Sequence, residues 1–567
     1  MKIIIIGGVA GGATAAARLR RLDEKAEIII YERSGYISYA NCGLPYYIGG
    51  VIEDREDLTL QTPEGFARRF RISAKVLHEV IDIHAEAKTV LVKNLKTGEI
   101  FEDTYDKLIL SPGAKPSVPA YAPTNAENVF TLRTVEDTFR IHEYIERNKP
   151  KTVTVIGGGF IGLEMAENLR NLGMNVTILQ RGDQLLSILD RDMASFIHAK
   201  FKASGVRLVF GAKITAIQSE NGRVSVTAEH MPTLDSDMVI LSIGITPENT
   251  LAEKAGLTLG QKGAIVVNDK METSKPDIYA VGDAVEISHV VTGKPAVISL
   301  AGPANKQGRI AADNICGLDS HYRGSQGSSV VKIFDMTAAM TGIGEKTAQK
   351  LGIDYEKIIL SPASHAGYYP GASVMTMKVL YEKKTEKLLG AQIVGYDGVD
   401  KRIDVLATAI FAGLPASELK DLDLAYAPPY SSAKDPVNMA GYMIDNIANG
   451  TLKQWFMEDL PSLPKDGSVT LLDTRTPGEY NRGHIDGFIN IPVDNLRERL
   501  HEIPFDKPVY VICQSGLRSY IATRILSGNG YDAYNFSGGF RFYDIIMNEI
   551  RLAKSATACG MDNPSQQ

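Results

Sequence analysis

The sequence has 567 residues but only four cysteines, at positions 42, 316, 513 and 559, with no two close together. That scarcity excludes a disulfide-stapled scaffold and the paired spacing of a zinc site. No metal is expected, and isolated thiols fit a reducing compartment. Positive charge is not in excess either: 61 basic against 67 acidic side chains give a formal net charge of −6, which leaves no electrostatic footprint for a nucleic acid. No apolar run approaches the roughly 18 residues of a membrane-spanning helix. The N-terminal MKIIIIGGVAGGATAAA imitates a secretory signal, but Gly7, Gly8, Gly11 and Gly12 break its apolar run after four isoleucines. A strand, a turn and a helix account for the same residues, so the expected compartment is the cytoplasm. What remains is an ordinary globular composition, 44% hydrophobic and 23% charged. At about 150 residues per domain the length allows three or four domains.

What is present begins with that first stretch. Lys2–Ile6 is a short apolar run suited to a central parallel strand. It leads into Gly7-Gly8-Val9-Ala10-Gly11-Gly12 and the helical pattern ATAAARLRRL, and a second apolar run, Glu27–Tyr31, ends at Glu32-Arg33. Glycines let backbone approach a pyrophosphate at a helix N-terminus, and the acid after the next strand takes ribose hydroxyls, so the pattern is that of a dinucleotide site. Val9 stands where the pattern has its middle glycine. The unit recurs as strand Thr152–Ile156, loop Gly157-Gly158-Gly159-Phe160-Ile161-Gly162, helix LEMAENLRNLG and strand Asn175–Leu179. This copy ends in Gln180-Arg181. An acid there would favour the free 2′-hydroxyl of NADH and an arginine can accept the 2′-phosphate of NADPH; Gln180 is neutral, and the choice stays open with a lean to NADH. Two such units suggest one bound flavin and one visiting nicotinamide.

The strand Ile278-Tyr279-Ala280-Val281-Gly282-Asp283-Ala284, with LILSPGAKP (108–116) and ILSIGITPEN (240–249), completes a pattern that resembles the two-dinucleotide-domain flavoprotein reductases over residues 1–445. The resemblance implies FAD on Gly7, Gly8, Ala10, Gly11, Gly12, Glu32, Arg33, Asp283 and Ala301, with Asp283 at the ribityl–phosphate region. It implies NADH or NADPH on Gly157, Gly159, Phe160, Ile161, Gly162, Glu164, Gln180 and Arg181.

Cys42 lies in SYANCGLPYYIGG, a stretch that resembles the coenzyme A disulfide reductases and their NADH oxidase and peroxidase relatives. In that group one cysteine faces the flavin and cycles through a mixed disulfide with coenzyme A, or through a sulfenic acid in the peroxide-handling relatives. The usual second thiol would lie five residues on, where this sequence has Tyr47. The small thiol is then itself the resolving group. Attack at neutral pH calls for a lowered thiol pKa, which a helix N-terminus can supply. Coenzyme A carries phosphates and needs cations. Arg18 and Arg21 share a face of the first helix and, with Ser38, Asn41 and Cys42, match the family's coenzyme A contacts; Arg68, Arg69 and Arg71 form a further basic cluster for the 3′-phosphate. Residues 326–445 resemble the family's dimerisation domain, in which two tyrosines reach the partner's cysteine. Tyr368 in HAGYYPGA and Tyr426 in LAYAPPYSS match them, with Tyr369 and Tyr430 as the alternative pair. A phenol there donates a proton as a thiolate departs, and the homodimer shares its active sites.

After a Pro/Gly segment, LPSLPKDG (460–467), LLDTRTPGEYNRGHIDGFINIP and VYVICQSGLRS resemble the rhodanese family, with FSGGF (536–540) after them. Cys513 opens a loop whose backbone N–H groups and helix N-terminus stabilise a thiolate or persulfide, and Arg518 adds a cation. Cys316 falls late in a helical pattern and is read as packing; Cys559 has no assigned role.

The expected fold class is α/β: two Rossmann-like domains of the flavoprotein disulfide reductase type, an α+β dimerisation domain and a C-terminal α/β rhodanese domain. The expected boundaries are FAD domain 1–110 and 243–325, NAD(P)H domain 111–242, dimerisation domain 326–449, linker 450–465, rhodanese domain 466–555 and tail 556–567. The whole chain resembles coenzyme A disulfide reductase–rhodanese fusions, most of all NADH-dependent persulfide reductases. That resemblance implies reduction of a coenzyme A persulfide or polysulfide to sulfide, with the rhodanese domain delivering sulfane sulfur. The alternatives are coenzyme A disulfide reduction, or an oxidase or peroxidase working through a cysteine sulfenic acid.

Overall fold

Four consecutive isoleucines put apolar side chains on both faces of β1 (Lys2–Ile6), which therefore requires cover on both sides. It is central: β1 pairs in parallel with β2 (Glu27–Glu32), β2 with β3 (Ser73–Val76), and the other edge of β1 with β4 (Lys107–Leu110), which pairs with Ile278–Ala280. Ile3, Ile4 and Ile5 are fully buried. Helix α1 (Ala10–Leu22) follows β1 and turns its small residues inward, with Ala15, Ala16 and Leu19 buried. The short helix α2 (Leu44–Ile48) follows Cys42. A second parallel sheet contains β5 (Val129–Thr131), β6 (Thr152–Ile156), β7 (Asn175–Gln180), β8 (Arg207–Phe210) and β9 (Met238–Leu241) in the order β8-β7-β6-β9-β5. Helix α3 (Phe160–Asn171) follows β6 as α1 follows β1. Within the stretches 108–116 and 240–249, Ala114–Pro116 pairs antiparallel with Ile245–Pro247.

The computed structural model describes residues 1–123 and 125–559, with side chains to 549. The expected tail falls outside the described residues from 560 on, and so does the Cys559 side chain. The chain divides into two units: residues 1–185 and 205–327 form the first, and 186–204 with 328 onward form the second. Helix Arg191–Ala203, within the span expected for the NAD(P)H domain, thus groups with the second unit. No helix among the described residues is long and apolar enough to cross a membrane.

The second unit holds an antiparallel sheet in the order Ser329–Ile333, Met336–Gly342, Leu388–Gly395, Thr376–Glu382, Tyr355–Leu360. Lys378 points its ammonium into this unit with no solvent exposure, 3.0 Å from Asp190 and 2.8 Å from Asp192, with Glu345 on the same ammonium. Burial alone would raise the Glu345 carboxyl, but Lys378 and Lys357 hold it down to about 2. A parallel sheet follows in the order Gln454–Trp455, Ala533–Phe536, Val509–Ile512, Thr470–Asp473, Ile489–Asn490. The stretch 450–465 is therefore not a free linker, because it supplies the edge strand of this sheet. The sequence's only tryptophan explains why: Trp455 is 2% exposed, packs on Phe536 at 4.3 Å between ring centroids, and donates its indole N–H to the Val511 carbonyl.

This sheet is fastened to the rest of its unit by polar contacts. The Ser537 hydroxyl both accepts from the Ile359 N–H (2.9 Å) and donates to its carbonyl. Lys357 joins Glu345 to Glu458, and Glu549 binds both Arg191 (2.9 Å) and the buried His198. Asn446 donates to the Tyr520 hydroxyl. Replacing Trp455 by alanine should cost about 3–5 kcal/mol, the range for deleting a large buried aromatic. Denaturant unfolding of the C-terminal transition measures it, and an unchanged midpoint would return residues 450–465 to the status of a tether.

Candidate active site

The two glycine loops are built alike. A Cβ on Gly12 would lie 2.0 Å from the Gly7 carbonyl oxygen, and one on Gly162 would lie 2.0 Å from that of Gly157, so both helices sit too close to their loops for any side chain. The Gly7 N–H donates to Tyr31 O and the Gly157 N–H to Leu179 O, both at 2.9 Å. Val9 breaks the sequence pattern without strain. It and its counterpart Gly159 both have extended backbone (φ −103° and −84°), and a Cβ on Gly159 meets nothing within 4 Å. The parallel extends to the next strand. Glu32, buried at the end of β2, accepts from the Gly8 N–H at 2.8 Å, and Gln180, at the end of β7, accepts from the Gly158 N–H at 3.0 Å. Burial pushes the Glu32 carboxyl up, against the Gly8 and Ser34 N–H groups that favour its charge. Arg181 is exposed beside Gln180, and Arg33 beside Glu32 reaches Glu248 at 3.8 Å.

Cradles closed to any Cβ, with helix N-termini behind them, fit dinucleotide pyrophosphates in both places. Asp283 lies in the turn after Ile278–Ala280, and Ala301 opens the helix Ala301–Ile315. Asp283 accepts from Arg133 at 2.9 Å. Arg133 is a site residue that the glycine-loop pattern did not reveal; its only signal in the sequence is an unremarkable Leu-Arg-Thr before a helix.

Cys42 is solvent-accessible in a 3-10 turn, Asn41–Gly43, directly before α2. Tyr47 packs edge-on against Phe139 and at a tilt against His142. The expected lowering of the thiol pKa by a helix N-terminus is not what the residues around it produce. Partial desolvation by the surrounding chain pushes the exposed thiol up, Glu164 and Asp283 push it further, and Arg133 opposes them. The helix behind it has five residues, too few for a strong dipole. Glu164 projects from α3, within 3.4 Å of the Tyr46 hydroxyl.

The expected coenzyme A residues do not form one cation cluster. Arg18 is committed to Asp313 at 2.6 Å, whereas Arg21 is exposed. Arg68 and Arg69 are exposed on the helix Pro63–Phe70, and Arg71 caps it with φ 49° while pairing with Glu24. Ser38 also has positive φ (46°) and lies against the glycine loop, its N–H donating to Gly8 O; Asn41 opens the turn that carries Cys42. In the second unit Tyr368 and Tyr426 are exposed and share a 2.6 Å hydroxyl–hydroxyl hydrogen bond. Tyr369 packs edge-on against His365 instead, and Tyr430 is exposed.

Cys513 ends the strand Val509–Ile512 and is fully buried. Its sulfur accepts from the Gly516 N–H at 3.1 Å and the Ser519 hydroxyl at 3.2 Å. Arg518 forms two 2.7 Å bonds to Glu479, whose carboxyl is held at about 2 chiefly by that guanidinium. Arg475 is pinned on Asp473. Both arginines are thus neutralised, and hydrogen-bond donors face the sulfur. Ser519 was not singled out from sequence, since only the fold shows that its hydroxyl turns back onto the sulfur. Cys316 caps its helix, partly buried against the core.

Comparison with known proteins agrees with this arrangement. The family of pyridine nucleotide-disulphide oxidoreductases matches residues 1–308, its dimerisation domain residues 328–436, and the rhodanese-like domain residues 456–543. The chain belongs to the pyridine nucleotide-disulphide oxidoreductases. It is therefore an oxidoreductase that uses FAD and a nicotinamide dinucleotide, with a rhodanese domain appended. This oxidoreductase is 40% identical over 447 residues to a coenzyme A disulfide reductase of Staphylococcus aureus, covering 78% of this chain and 99% of the relative. It superposes on the reduced Bacillus anthracis CoADR-RHD with TM-score 0.94 at 49% identity, covering 97% of this chain and 98% of that one. It superposes on a NAD-dependent persulfide reductase from A. fulgidus with TM-score 0.90 at 38% identity, covering 96% and 100%.

Removing one of the two donors on the Cys513 sulfur, by Ser519→Ala, should slow persulfide loading several-fold by withdrawing a hydrogen bond worth about 1 kcal/mol or more to a charged sulfur. Intact mass after brief exposure to polysulfide reads it, and unchanged loading would show that the hydroxyl does not stabilise the thiolate.

Proposed function

We propose that this oxidoreductase reduces a coenzyme A persulfide or polysulfide to sulfide through Cys42, and that Cys513 feeds it sulfane sulfur. The observation that carries the reading is the presence in one chain of two free thiols of opposite setting: Cys42 accessible beside the flavin-side loop, and Cys513 cradled by donors in a rhodanese loop. Cys42 opens the sulfur–sulfur bond, sulfide leaves, and coenzyme A remains in mixed disulfide with Cys42. FAD, when bound, supplies the electron pair from the nicotinamide that frees both thiols. Glu32 and Asp283 orient it from the chain's side, and Gln180 and Arg181 receive the nicotinamide dinucleotide. Arg21 and Arg68 remain available for coenzyme A phosphates, Arg71 only if Glu24 shares it and Arg18 only if Asp313 does. The names of the relatives, coenzyme A disulfide reductase and NAD-dependent persulfide reductase, support the reductive half of the reading.

The contacts at Ser537, Glu458 and Glu549 tie the rhodanese sheet to the antiparallel sheet of its own unit, and in this reading coenzyme A carries sulfur from Cys513 to Cys42. The Tyr368–Tyr426 pair then belongs to the partner's Cys42 in a homodimer, one phenol donating to the other and the outer one to the departing thiolate. Replacing both by phenylalanine should lower kcat roughly 100-fold, in line with loss of a general acid, with flavin content unchanged. An unaltered kcat would reduce the pair to interface packing.

The function is tested by anaerobic sulfide release from coenzyme A persulfide with NADH, in wild type, Cys42→Ser and Cys513→Ser. Cys42→Ser should abolish release, and Cys513→Ser should spare it with preformed persulfide while losing the feed from polysulfide. Reduction of coenzyme A disulfide with no sulfide from persulfide would instead make the protein a disulfide reductase.

A further inference from the structure

The phenols of Tyr368 and Tyr426 stand on two different loops, residues 361–375 and 422–435, yet share one 2.6 Å hydrogen bond. Both side chains are exposed, so the register between them has to come from whatever holds the loops. The helix Val399–Ala412 supplies it by projecting Arg402, 1% exposed, between the two. Its Nη2 lies 3.0 Å from the Ser364 carbonyl oxygen on the first loop. On the second loop the same nitrogen lies 3.3 Å from the Tyr430 carbonyl oxygen and 3.0 Å from both Ser431 Oγ and Asp435 Oδ2. Asp435, 3% exposed, neutralises the guanidinium, accepts from the Ser431 hydroxyl at 2.7 Å, and caps the helix Pro436–Ala448 through the Val437 N–H at 3.0 Å.

The backbone follows the same plan. The first loop closes on itself where the Ser364 N–H donates to Ser373 O at 2.7 Å, and it joins the second where the Ala366 N–H donates to Ser431 O at 3.0 Å. Lys401, beside Arg402 in the chain, donates to the carbonyl of Ala425, next to Tyr426, at 3.3 Å. Gly398, with φ 67°, leaves room for the guanidinium, since a Cβ there would lie 2.1 Å from Arg402 Nη1.

We propose that Arg402 is a positioning residue for the tyrosine pair: one buried guanidinium, neutralised by Asp435, holds both loops in register and so fixes the Tyr368–Tyr426 hydrogen bond. The inference rests on the proposed role of that pair as proton donor to the departing thiolate. A guanidinium suits the task because its planar fork presents several N–H donors in fixed directions, whereas an ammonium binds as a point charge. Proton transfer needs heavy atoms about 2.6–3.2 Å apart, so a loop displaced by about 1 Å takes the relay out of range. Removing the charge altogether would leave Asp435 buried without its partner and confuse geometry with folding. Arg402→Lys keeps the charge and loses the fork. Ser431→Ala keeps both charges and loses the hydroxyl that links them.

The test measures turnover with NADH of whichever of coenzyme A persulfide or coenzyme A disulfide the flavin-loaded wild type accepts. Arg402→Lys and Ser431→Ala are compared, each alone and combined with Tyr368→Phe/Tyr426→Phe. Arg402→Lys should lower kcat about tenfold with KM little changed, as misplacement of a reacting group does. Ser431→Ala should lower it by a smaller factor, and flavin reduction by NADH should keep its wild-type rate in both. With the phenols gone, neither substitution should lower kcat further. An unchanged kcat in Arg402→Lys, or the same fractional loss with and without the phenols, would overturn the proposal. Ser431→Ala carries the same comparison if Arg402→Lys does not fold. In protein containing 3-fluorotyrosine, Tyr368→Phe should also shift the fluorine resonance of Tyr426, and Arg402→Lys should abolish that response. If kcat survives the loss of both phenols, the reading of the pair as an acid falls and the fluorine response decides alone. Its disappearance in Arg402→Lys upholds Arg402 as the residue that positions the pair, and its persistence overturns it.

Discussion

A single thiolate can open a sulfur–sulfur bond, but it cannot release itself from the product without electrons and a second sulfur to carry away. Cys42 has Tyr47 where a partner thiol would stand, and Tyr47 is occupied with Phe139 and His142. The proposed function builds the rest of the site on that constraint. In that proposal one nucleotide cradle holds the electron store, the other admits the electron donor, and the second sulfur arrives on a carrier. The buried, hydrogen-bonded Cys513 of the rhodanese loop is where the proposal lets sulfur wait.

The same constraint shapes the electrostatics. Around Cys513 both neighbouring arginines are satisfied by carboxylates, so stabilisation of the sulfur falls to the Gly516 N–H and the Ser519 hydroxyl. Around Cys42 the single opposing cation, Arg133, is shared with Asp283. In both sites neutral or shared donors stand where a dedicated cation would hold the anion in place and weaken it as a nucleophile.

The α/β architecture was legible from the sequence because each nucleotide unit combines an apolar strand, a glycine loop and a helix in fixed register. The close approaches at Gly12 and Gly162 show why no other residue serves there. The rhodanese loop was legible for the same reason. Long-range side-chain geometry was not. Nothing in the spacing of Arg18 and Arg21 reveals that Asp313, far along the chain, takes the first of them. The Pro-rich flank of residues 450–465 concealed an edge strand, although a lone tryptophan in a supposed linker was a usable warning. Arg133 and Ser519 gain their roles only when folding brings them to a carboxylate or a sulfur, so periodicity and motif spacing carry no trace of them.

The most direct test of the central claim is to mix the flavin-loaded protein with coenzyme A persulfide in the absence of any nicotinamide and determine the mass of the Cys42 peptide. The expected result is coenzyme A in disulfide linkage to Cys42, released when NADH is added. A Cys42 left unmodified, or recovered only as a sulfenic acid, while sulfide still forms on NADH addition would contradict it.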